Sequence, residues 1–555
     1  MNKTIAINCL NTGSSKTFLK GTTLNQVITE FRVKMKNPIL GALVNNVLEE
    51  LNFEVFHPIS VQFIDITHPD GMRLCLRGLS FVLYKAVSEL FPDSHLRIYH
   101  SISKGVYCKL TAQSKEFTHQ DVADIEQRMR EIVDADLPFI RMEENTEEVM
   151  QKFREHGFID KISLLKHRGQ NYSSYYILDS HIDSFYGYMV PSTGYLKVFD
   201  LNKYYNGLLL QIPQQANPAM VESLVVQNKL FEIFQEFSQW VKILEVPNIS
   251  DLNNSCSNGK SEVLLKVSEA LHEKKIGQIA DNIRSRNDKV KIILISGPSS
   301  SGKTTFAKRL AIQLMVNGMK PLNLSLDNYF VDRDKTPLDE YGNHDYEAFE
   351  ALDTNLFNQN LLGLLNGEKV EIPKFSFESG TRFFDGVTMQ MLPENVLIVE
   401  GIHGLNPQLT NSIPAETKFK IYVSALTSLN IDDHNRVSTT DNRLIRRIVR
   451  DYRYRKYSAR DTISRWQSVR QGEEKHIFPY QEEADTMFNS ALLYELAVLK
   501  TYAEPILLEV QPNQPEYSEA NRLLGFFRYI KPLKPTEIPP TSILREFLGG
   551  SSFIY

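Results

Sequence analysis

The stretch Lys291-Ile292-Ile293-Leu294-Ile295-Ser296-Gly297-Pro298-Ser299-Ser300-Ser301-Gly302-Lys303-Thr304 decides the fold of the C-terminal half. An apolar run of strand length feeds a Gly-x-x-x-x-Gly-Lys-Thr loop, and Thr305 to Met315 behind it reads as a helix. Backbone N–H groups in such a loop cradle phosphates, the lysine reaches the β- and γ-phosphates, and the threonine hydroxyl ligates Mg²⁺. Gly297, Pro298, Ser299, Ser300, Ser301, Gly302, Lys303, Thr304 and Thr305 are therefore the expected cradle for a nucleoside triphosphate with Mg²⁺. Outward from the loop, residues 291 to about 510 alternate strand and helix signals, which predicts a doubly wound parallel sheet wrapped by helices.

A phosphate loop says what is bound, not what is done. Leu322-Asn323-Leu324-Ser325-Leu326-Asp327 reads as a second strand ending in a carboxylate. In such sheets ligands sit beyond the carboxyl ends of the strands, so Asp327 is placed to take a proton from an attacking hydroxyl. Asn395 to Glu400 is a buried strand ending in an acid that suits Mg²⁺. Residues 443 to 460 carry Arg443, Arg446, Arg447, Arg450, Arg453, Arg455, Lys456 and Arg460 against a single acidic neighbour at Asp451. On a helix Arg443, Arg446, Arg447 and Arg450 share one face. That pattern predicts either a solvated basic helix or a lid that closes over phosphates, with Arg446 and Arg450 as nucleotide contacts.

With these pieces in order, residues 291 to about 510 resemble the uridine kinase and phosphoribulokinase family of P-loop kinases. The matching segments are Gly297 to Thr304, Leu326-Asp327-Asn328-Tyr329-Phe330, Asn343-His344-Asp345-Tyr346-Glu347-Ala348-Phe349, Ile372-Pro373-Lys374-Phe375-Ser376-Phe377, Val399-Glu400-Gly401-Ile402 and Arg443 to Asp451. The resemblance implies Asp327 as general base, Lys303 beside it, Asp345 on a ribose, and Phe330, Phe375 and Phe377 around a base. Arg382 and Arg460 are further expected substrate contacts, and Thr304 and Glu400 the expected metal ligands. The implied reaction is ATP-dependent phosphorylation of a nucleoside 5′-hydroxyl. Where uridine kinases usually present a His after the aromatic pair, this chain has Gly380, and the first aromatic is Phe375 in place of Tyr. Loss of polar base contacts weakens discrimination, so a different acceptor such as a sugar phosphate is the alternative.

Residues 1–66 read as a small β-rich unit, and Phe18-Leu19-Lys20-Gly21-Thr22-Thr23-Leu24 between strands resembles the TGS domain, a ubiquitin-like β-grasp module. His68-Pro69-Asp70-Gly71 reads as a break at its end. Residues 67–215 read as α+β. Leu83 to Asp93, Asp136-Leu137-Pro138-Phe139 and Val190 to Gly194 resemble the editing domain that follows TGS in threonyl-tRNA synthetases. At the positions of that domain's metal-type ligands this chain has Arg77, Phe81, Phe185 and Met189, which cannot assemble a zinc or hydrolytic centre. A scaffolding or dimerising module without zinc follows, and a homo-oligomer is the expected assembly. Residues 216–290 read as a helical linker, with Asn248 to Lys260 as a polar loop inside it. Residues 511–555 read as a proline-bearing tail running extended over another surface, its apolar end at Ile543 to Leu548 able to dock.

The 555 residues allow three or four domains, and 42% hydrophobic with 23% charged residues is ordinary globular composition. A net charge of -5 speaks against a chain built to coat polyanions, and no basic-aromatic stripe supports RNA. Cys9, Cys75, Cys108 and Cys256 stand far apart, with neither a disulfide framework nor a zinc knuckle in their spacing. No apolar run nears the ~18 residues that span a bilayer. The start lacks a signal-peptide core, so a cytoplasmic protein is expected, with no membrane partner. An RNA- or ribosome-associated regulator using ATP as a switch is the reading from another class. A GTPase is disfavoured because no Asn-Lys-x-Asp motif occurs.

Overall fold

Alternation builds the first sheet. Thr4–Cys9 (β1) turns Ile5, Ile7 and Cys9 inward and pairs antiparallel with Ser14–Leu19 (β2). Gly41–Val44 (β3), Val47–Glu49 (β4) and Ile59–Ile64 (β5) complete a five-stranded sheet in the order β2-β1-β5-β3-β4. The helix Leu24–Phe31 (α1) packs Leu24, Val27 and Phe31 into the same core, and a reciprocal Thr23/Gln26 capping box fixes its start. The structure is a computed structural model and describes residues 3–112, 115–286, 289–339 and 342–555.

The stretch expected to break the chain at residues 68–71 instead starts a helix. His68 caps it, and Pro69 occupies the first position, where a missing N–H costs nothing. Pro69–Leu90 (α2) and His119–Asp134 (α3) share one core with the strands His95–Ile102 (β6) and Gly105–Thr111 (β7). Beyond them, Ile140–Asn145 (β8), Thr146–Glu155 (α4), Ile159–Arg168 (α5), Tyr172–Leu178 (β9) and His181–Asp183 (β10) form a smaller antiparallel layer with its own core. Asp200–Tyr204 (β11) and Gly207–Gln211 (β12) then return to the larger sheet, in the order β11-β12-β7-β6.

Residues expected as a linker are helices built into the C-terminal core. They are Asn228–Ile243 (α6), Ile249–Ser257 (α7) and Ser261–Arg284 (α8). The polar stretch read as a loop is mostly α7. Its Asn and Ser residues are those of a capped helix start: Asp251 accepts the Asn248 N–H at 3.2 Å while Ile249 and Leu252 are buried. Helix α8 shares a core with Lys303–Val316 (α9), and Arg309 of α9 pairs with Glu273 at 2.7 Å.

The C-terminal sheet has five strands: Ile292–Ser296 (β13), Lys320–Ser325 (β14), Asn395–Glu400 (β15), Lys418–Ser424 (β16) and Thr486–Asn489 (β17). All pair in parallel, in the order β14-β15-β13-β16-β17. Strand β13 is covered on both faces, which is why its sequence is continuously apolar. Ile293 and Ile295 join the core of α8, α9, Thr439–Tyr454 (α11) and Glu495–Leu507 (α13), whereas Ile292 and Leu294 join that of Thr354–Leu365 (α10). Ala459–His476 (α12) follows α11, and Tyr517–Phe527 (α14) and the short Arg545–Leu548 (α15) close the chain.

The two halves are bolted together by buried charge. Lys161 of α5 lies 2.9 Å from both Asp183 and Asp432, and His434 Nδ1 lies 2.6 Å from Asp183. Among the described residues no helix is long and apolar enough to cross a membrane.

Candidate active site

The loop after β13 keeps its shape because two glycines do what other residues cannot. A Cβ at Gly297 would strike the Val423 carbonyl. Gly302 sits at φ +83°, where its Cβ would meet Ile543 at 2.5 Å. Lys303 opens α9 and folds its ammonium back to the Pro298 carbonyl at 3.2 Å. The Ser296 hydroxyl donates to the Ile402 carbonyl at 2.6 Å and ties the strand end to the neighbouring loop.

The apex of the loop is held from α11 and α12. Glu473 accepts the Ser299 N–H at 3.0 Å, Arg443 donates to the Ser299 carbonyl at 3.1 Å, and Arg447 donates to the Ser299 hydroxyl at 2.7 Å. Arg443 and Glu473 pair at 2.7 Å, both essentially without solvent.

Two carboxylates converge beside the loop. Asp327 stands in the single turn after β14, and Glu400 ends β15 in register with Ser325. The Ser325 hydroxyl donates to Glu400 at 2.8 Å and accepts the Asp327 N–H at 3.4 Å. Burial, then the charge of Asp327, pushes the Glu400 carboxyl up to about 7, against the pull of Lys303. Glu347 is also pushed up to about 7, mainly by burial, and it too faces Lys303 and Asp327. Two crowded acids beside a lysine make an oxygen-rich corner, the donor chemistry that a divalent cation suits.

Three of the expected acceptor residues, Phe330, Phe375 and Phe377, pack together. Phe330 meets Phe375 at 5.8 Å and Phe375 meets Phe377 at 5.3 Å, both edge-on. The hairpin of Lys374–Ser376 and Thr381–Phe383 pairs Phe375 with Arg382, which bonds to Asp353 at 2.9 Å. Asp345 lies 3.9 Å from His476 and accepts the Glu347 N–H at 3.1 Å. At Gly380, where a base-reading His was the family expectation, φ is +73° and a Cβ would meet the Arg333 guanidinium at 2.7 Å. Arg333 fills that place and donates to the Phe377 carbonyl at 3.0 Å. The guanidinium of Arg455 lies over Phe377 at 4.4 Å.

The basic stretch divides: Arg443 and Arg446 are buried, whereas Arg453, Lys456 and Arg460 are exposed. Leu444, Ile445, Ile448 and Val449 bury α11 on the sheet and carry the intervening arginines inside with them. Arg446 is fully buried, pairs with Glu495, donates to the Ser490 carbonyl at 2.8 Å and reaches the Ser300 carbonyl of the loop at 3.5 Å, so it braces the loop from inside the core. Arg450 is held by Asp451 at 2.8 Å, and Arg460 pairs with Glu516 at 3.4 Å, away from the loop's own partners. Sequence reasoning missed Glu473, Glu347 and Arg333. Glu473 stands in the run Glu473-Glu474-Lys475, which reads as solvated helix surface.

In the N-terminal half, the positions where metal ligands were sought hold packing residues. Arg77 donates to the Tyr188 carbonyl at 2.7 Å, and Phe81 packs against Phe185 at 5.5 Å and Phe139 at 6.0 Å. Met189 is buried in the same core.

Comparison with known proteins adds to this geometry. A uridine kinase of Staphylococcus aureus (strain JH9) is 32% identical over 195 residues, which is 35% of this chain and 84% of that protein. A threonine–tRNA ligase of Syntrophomonas wolfei is 30% identical over 189 residues, 34% of this chain, and the chain spans only 30% of that ligase's length. The solved structure of a possible uridine kinase from Bacillus stearothermophilus is 18% identical with a TM-score of 0.25, covering 38% of this chain and all of the other. The family model for phosphoribulokinase / uridine kinase matches residues 292–494, the span that runs from β13 through the loop, both acids and α11. By that match and by the relative from Staphylococcus, the chain belongs to the phosphoribulokinase / uridine kinase family of kinases.

Proposed function

We propose that this protein transfers the γ-phosphoryl group of ATP to the 5′-hydroxyl of a nucleoside. The observation that carries the reading is the convergence of Lys303, Asp327 and Glu400 beside the loop, with the aromatic set Phe330, Phe375 and Phe377 next to it. Asp327 accepts the proton of the attacking hydroxyl, the acceptor oxygen bonds to the γ-phosphorus, and the β–γ bridging oxygen leaves with ADP. Thr304 and Glu400 would hold Mg²⁺, which would supply charge neutralisation at the phosphates. Lys303 steadies the transferring group, so catalysis is positioning plus electrostatics.

A second reading keeps the chemistry and changes the acceptor. Arg333 at Gly380 and Arg455 over Phe377 put two cations where a neutral base needs polar contacts, which favours an acceptor carrying its own phosphate. Residues 1–66 we read as a TGS-like β-grasp unit and 67–215 as an editing-like scaffold, with 291–510 the kinase and 511–555 its C-terminal extension. A cytoplasmic homo-oligomer remains the expected form.

The test is ATP-dependent phosphorylation across uridine, cytidine, adenosine, guanosine, inosine and ribulose 5-phosphate, with Asp327→Asn alongside. The variant is expected to lose about 100-fold or more in turnover while ATP binding persists. Turnover that survives in Asp327→Asn removes the base assignment, and no turnover with any of these nucleosides removes the nucleoside reading.

A further inference from the structure

The far end of the chain comes back to the phosphate loop. Thr305 is the third residue of α9, and its N–H is one of the four donors a helix start leaves without intrahelical partners. That N–H donates to Glu546 Oε2 at 3.2 Å, and the Thr305 hydroxyl donates to the same oxygen at 2.6 Å. Tyr555 places its hydroxyl 2.8 Å from the Thr305 hydroxyl, and Lys308 lies over the Tyr555 ring at 5.7 Å. A carboxylate thus stands on donors that this loop-to-helix turn offers to a phosphate. Glu546 is also close enough to Glu400 and Arg450 for its charge to act on both.

The segment that presents Glu546 is fixed in place. Ile543, Leu544, Phe547 and Leu548 are buried in the same core as α8, α9, α11 and α13. Arg446 lies over the Phe547 ring at 5.1 Å, and Arg545 donates to the Ile538 carbonyl at 2.6 Å. The backbone around Glu546 is thus anchored on both sides, and the Glu546 side chain itself is only half-buried.

We propose that Glu546 is a built-in stand-in for a nucleotide phosphate: in the nucleotide-free enzyme its carboxylate caps α9 at Thr305, and ATP binds only by swinging that side chain out. The inference rests on the reading of this loop as the nucleotide site. Its consequence is a sign that a purely structural contact does not give. Removing the carboxylate removes both a competitor and a like charge beside the polyphosphate, so affinity rises.

The test is calorimetric titration of full-length protein with MgATP and, separately, with inorganic pyrophosphate. It compares wild type, Glu546→Gln, Glu546→Ala and Lys303→Ala. Both Glu546 variants are expected to bind each ligand at least about fivefold more tightly, whereas Lys303→Ala weakens both. Affinities of the Glu546 variants within about twofold of wild type, or weaker, overturn the proposal while leaving the nucleotide site standing. Absence of MgATP binding in wild type and every variant instead overturns the nucleotide reading and the proposal with it. Binding that appears only in the Glu546 variants is the strongest support.

Discussion

Glu473→Gln takes one charge out of a pair that water does not reach. Glu473 and Arg443 are 0% and 1% exposed, and Glu473 also bonds to Arg470 at 2.8 Å and to the Ser299 N–H at 3.0 Å. Burial pushes the Glu473 carboxyl up, but the charges of Arg443 and Arg470 win and hold it below the ordinary range. Removing one partner of such a pair leaves the other charge buried and unpaired, at a cost of about 3–5 kcal/mol. The glutamine amide worsens this by turning an N–H donor toward guanidinium donors. Because the carboxyl is lowered in the native state, its contribution is present above the unfolded value near 4.5 and is lost as pH falls through the native one. The loss on substitution is thus largest at neutral pH and shrinks on acidification. Denaturant unfolding of a multidomain chain is not two-state, so a local probe is needed. Trp466, whose ring lies 5.5 Å from the Arg443 guanidinium, supplies it in a Trp240→Phe background that leaves a single tryptophan. The midpoint is expected to fall by an amount equivalent to about 3–5 kcal/mol, and the KM for ATP to rise as the loop apex loses its tether. The double variant Arg443→Met/Glu473→Leu is expected to recover most of the stability but not the KM. An unmoved midpoint in Glu473→Gln refutes the buried-pair argument.

Phe547→Ala empties a fully buried site in α15 and is expected to cost about 3–5 kcal/mol in the same fluorescence-monitored unfolding, against under about 1 kcal/mol if the C-terminal segment lay loosely on the surface. Lys161→Met leaves Asp183 and Asp432 facing each other without their cation; a loss of about 3–5 kcal/mol is expected, read as faster proteolysis between the halves. Glu347, pushed up to about 7 mainly by burial, keeps a proton in the native state that the unfolded chain has shed above about 4.5, so it lowers stability as pH rises between those values. Glu347→Gln is expected to flatten that part of the stability profile, and an unchanged slope between pH 5 and pH 7 would sink the assignment.

Much of the site was legible because its parts are local. The cradle is a run of consecutive backbone groups, Glu400 ends an apolar strand and Asp327 stands in the turn just past another, where a parallel sheet puts its ligands. What stayed hidden depends on partners distant in the chain. An arginine-rich helix gives its face but not its depth: Arg443 and Arg446 read as a face either solvated or closing over phosphates until Glu473 and Glu495, from two other helices, are seen to pair with them. Likewise α7 read as a loop because the residues that cap a helix are also loop residues, and the buried Ile249 and Leu252 between them are too few to show a period. Arg333 was invisible as the occupant at Gly380, since a left-handed glycine reads only as a turn until its neighbour is placed.

The same reasoning explains why acids crowd a loop meant for phosphate. Glu473 takes the Ser299 N–H, Glu546 takes the Thr305 N–H, and Asp327 and Glu400 stand beside Lys303. Helix and loop donors left bare in a buried setting are costly, so a nucleotide-free cradle gains from carboxylates that hold them. The two carboxylates are not equivalent. Glu473 is locked by Arg443 and Arg470 and serves the loop whether or not nucleotide is present, whereas Glu546 forms no contact ion pair among the described residues and feels the Arg450 charge only at longer range. A carboxylate without its own cation is the one that a polyphosphate with Mg²⁺ displaces most cheaply. The asymmetry therefore predicts opposite signs: neutralising Glu473 weakens nucleotide binding, and neutralising Glu546 strengthens it.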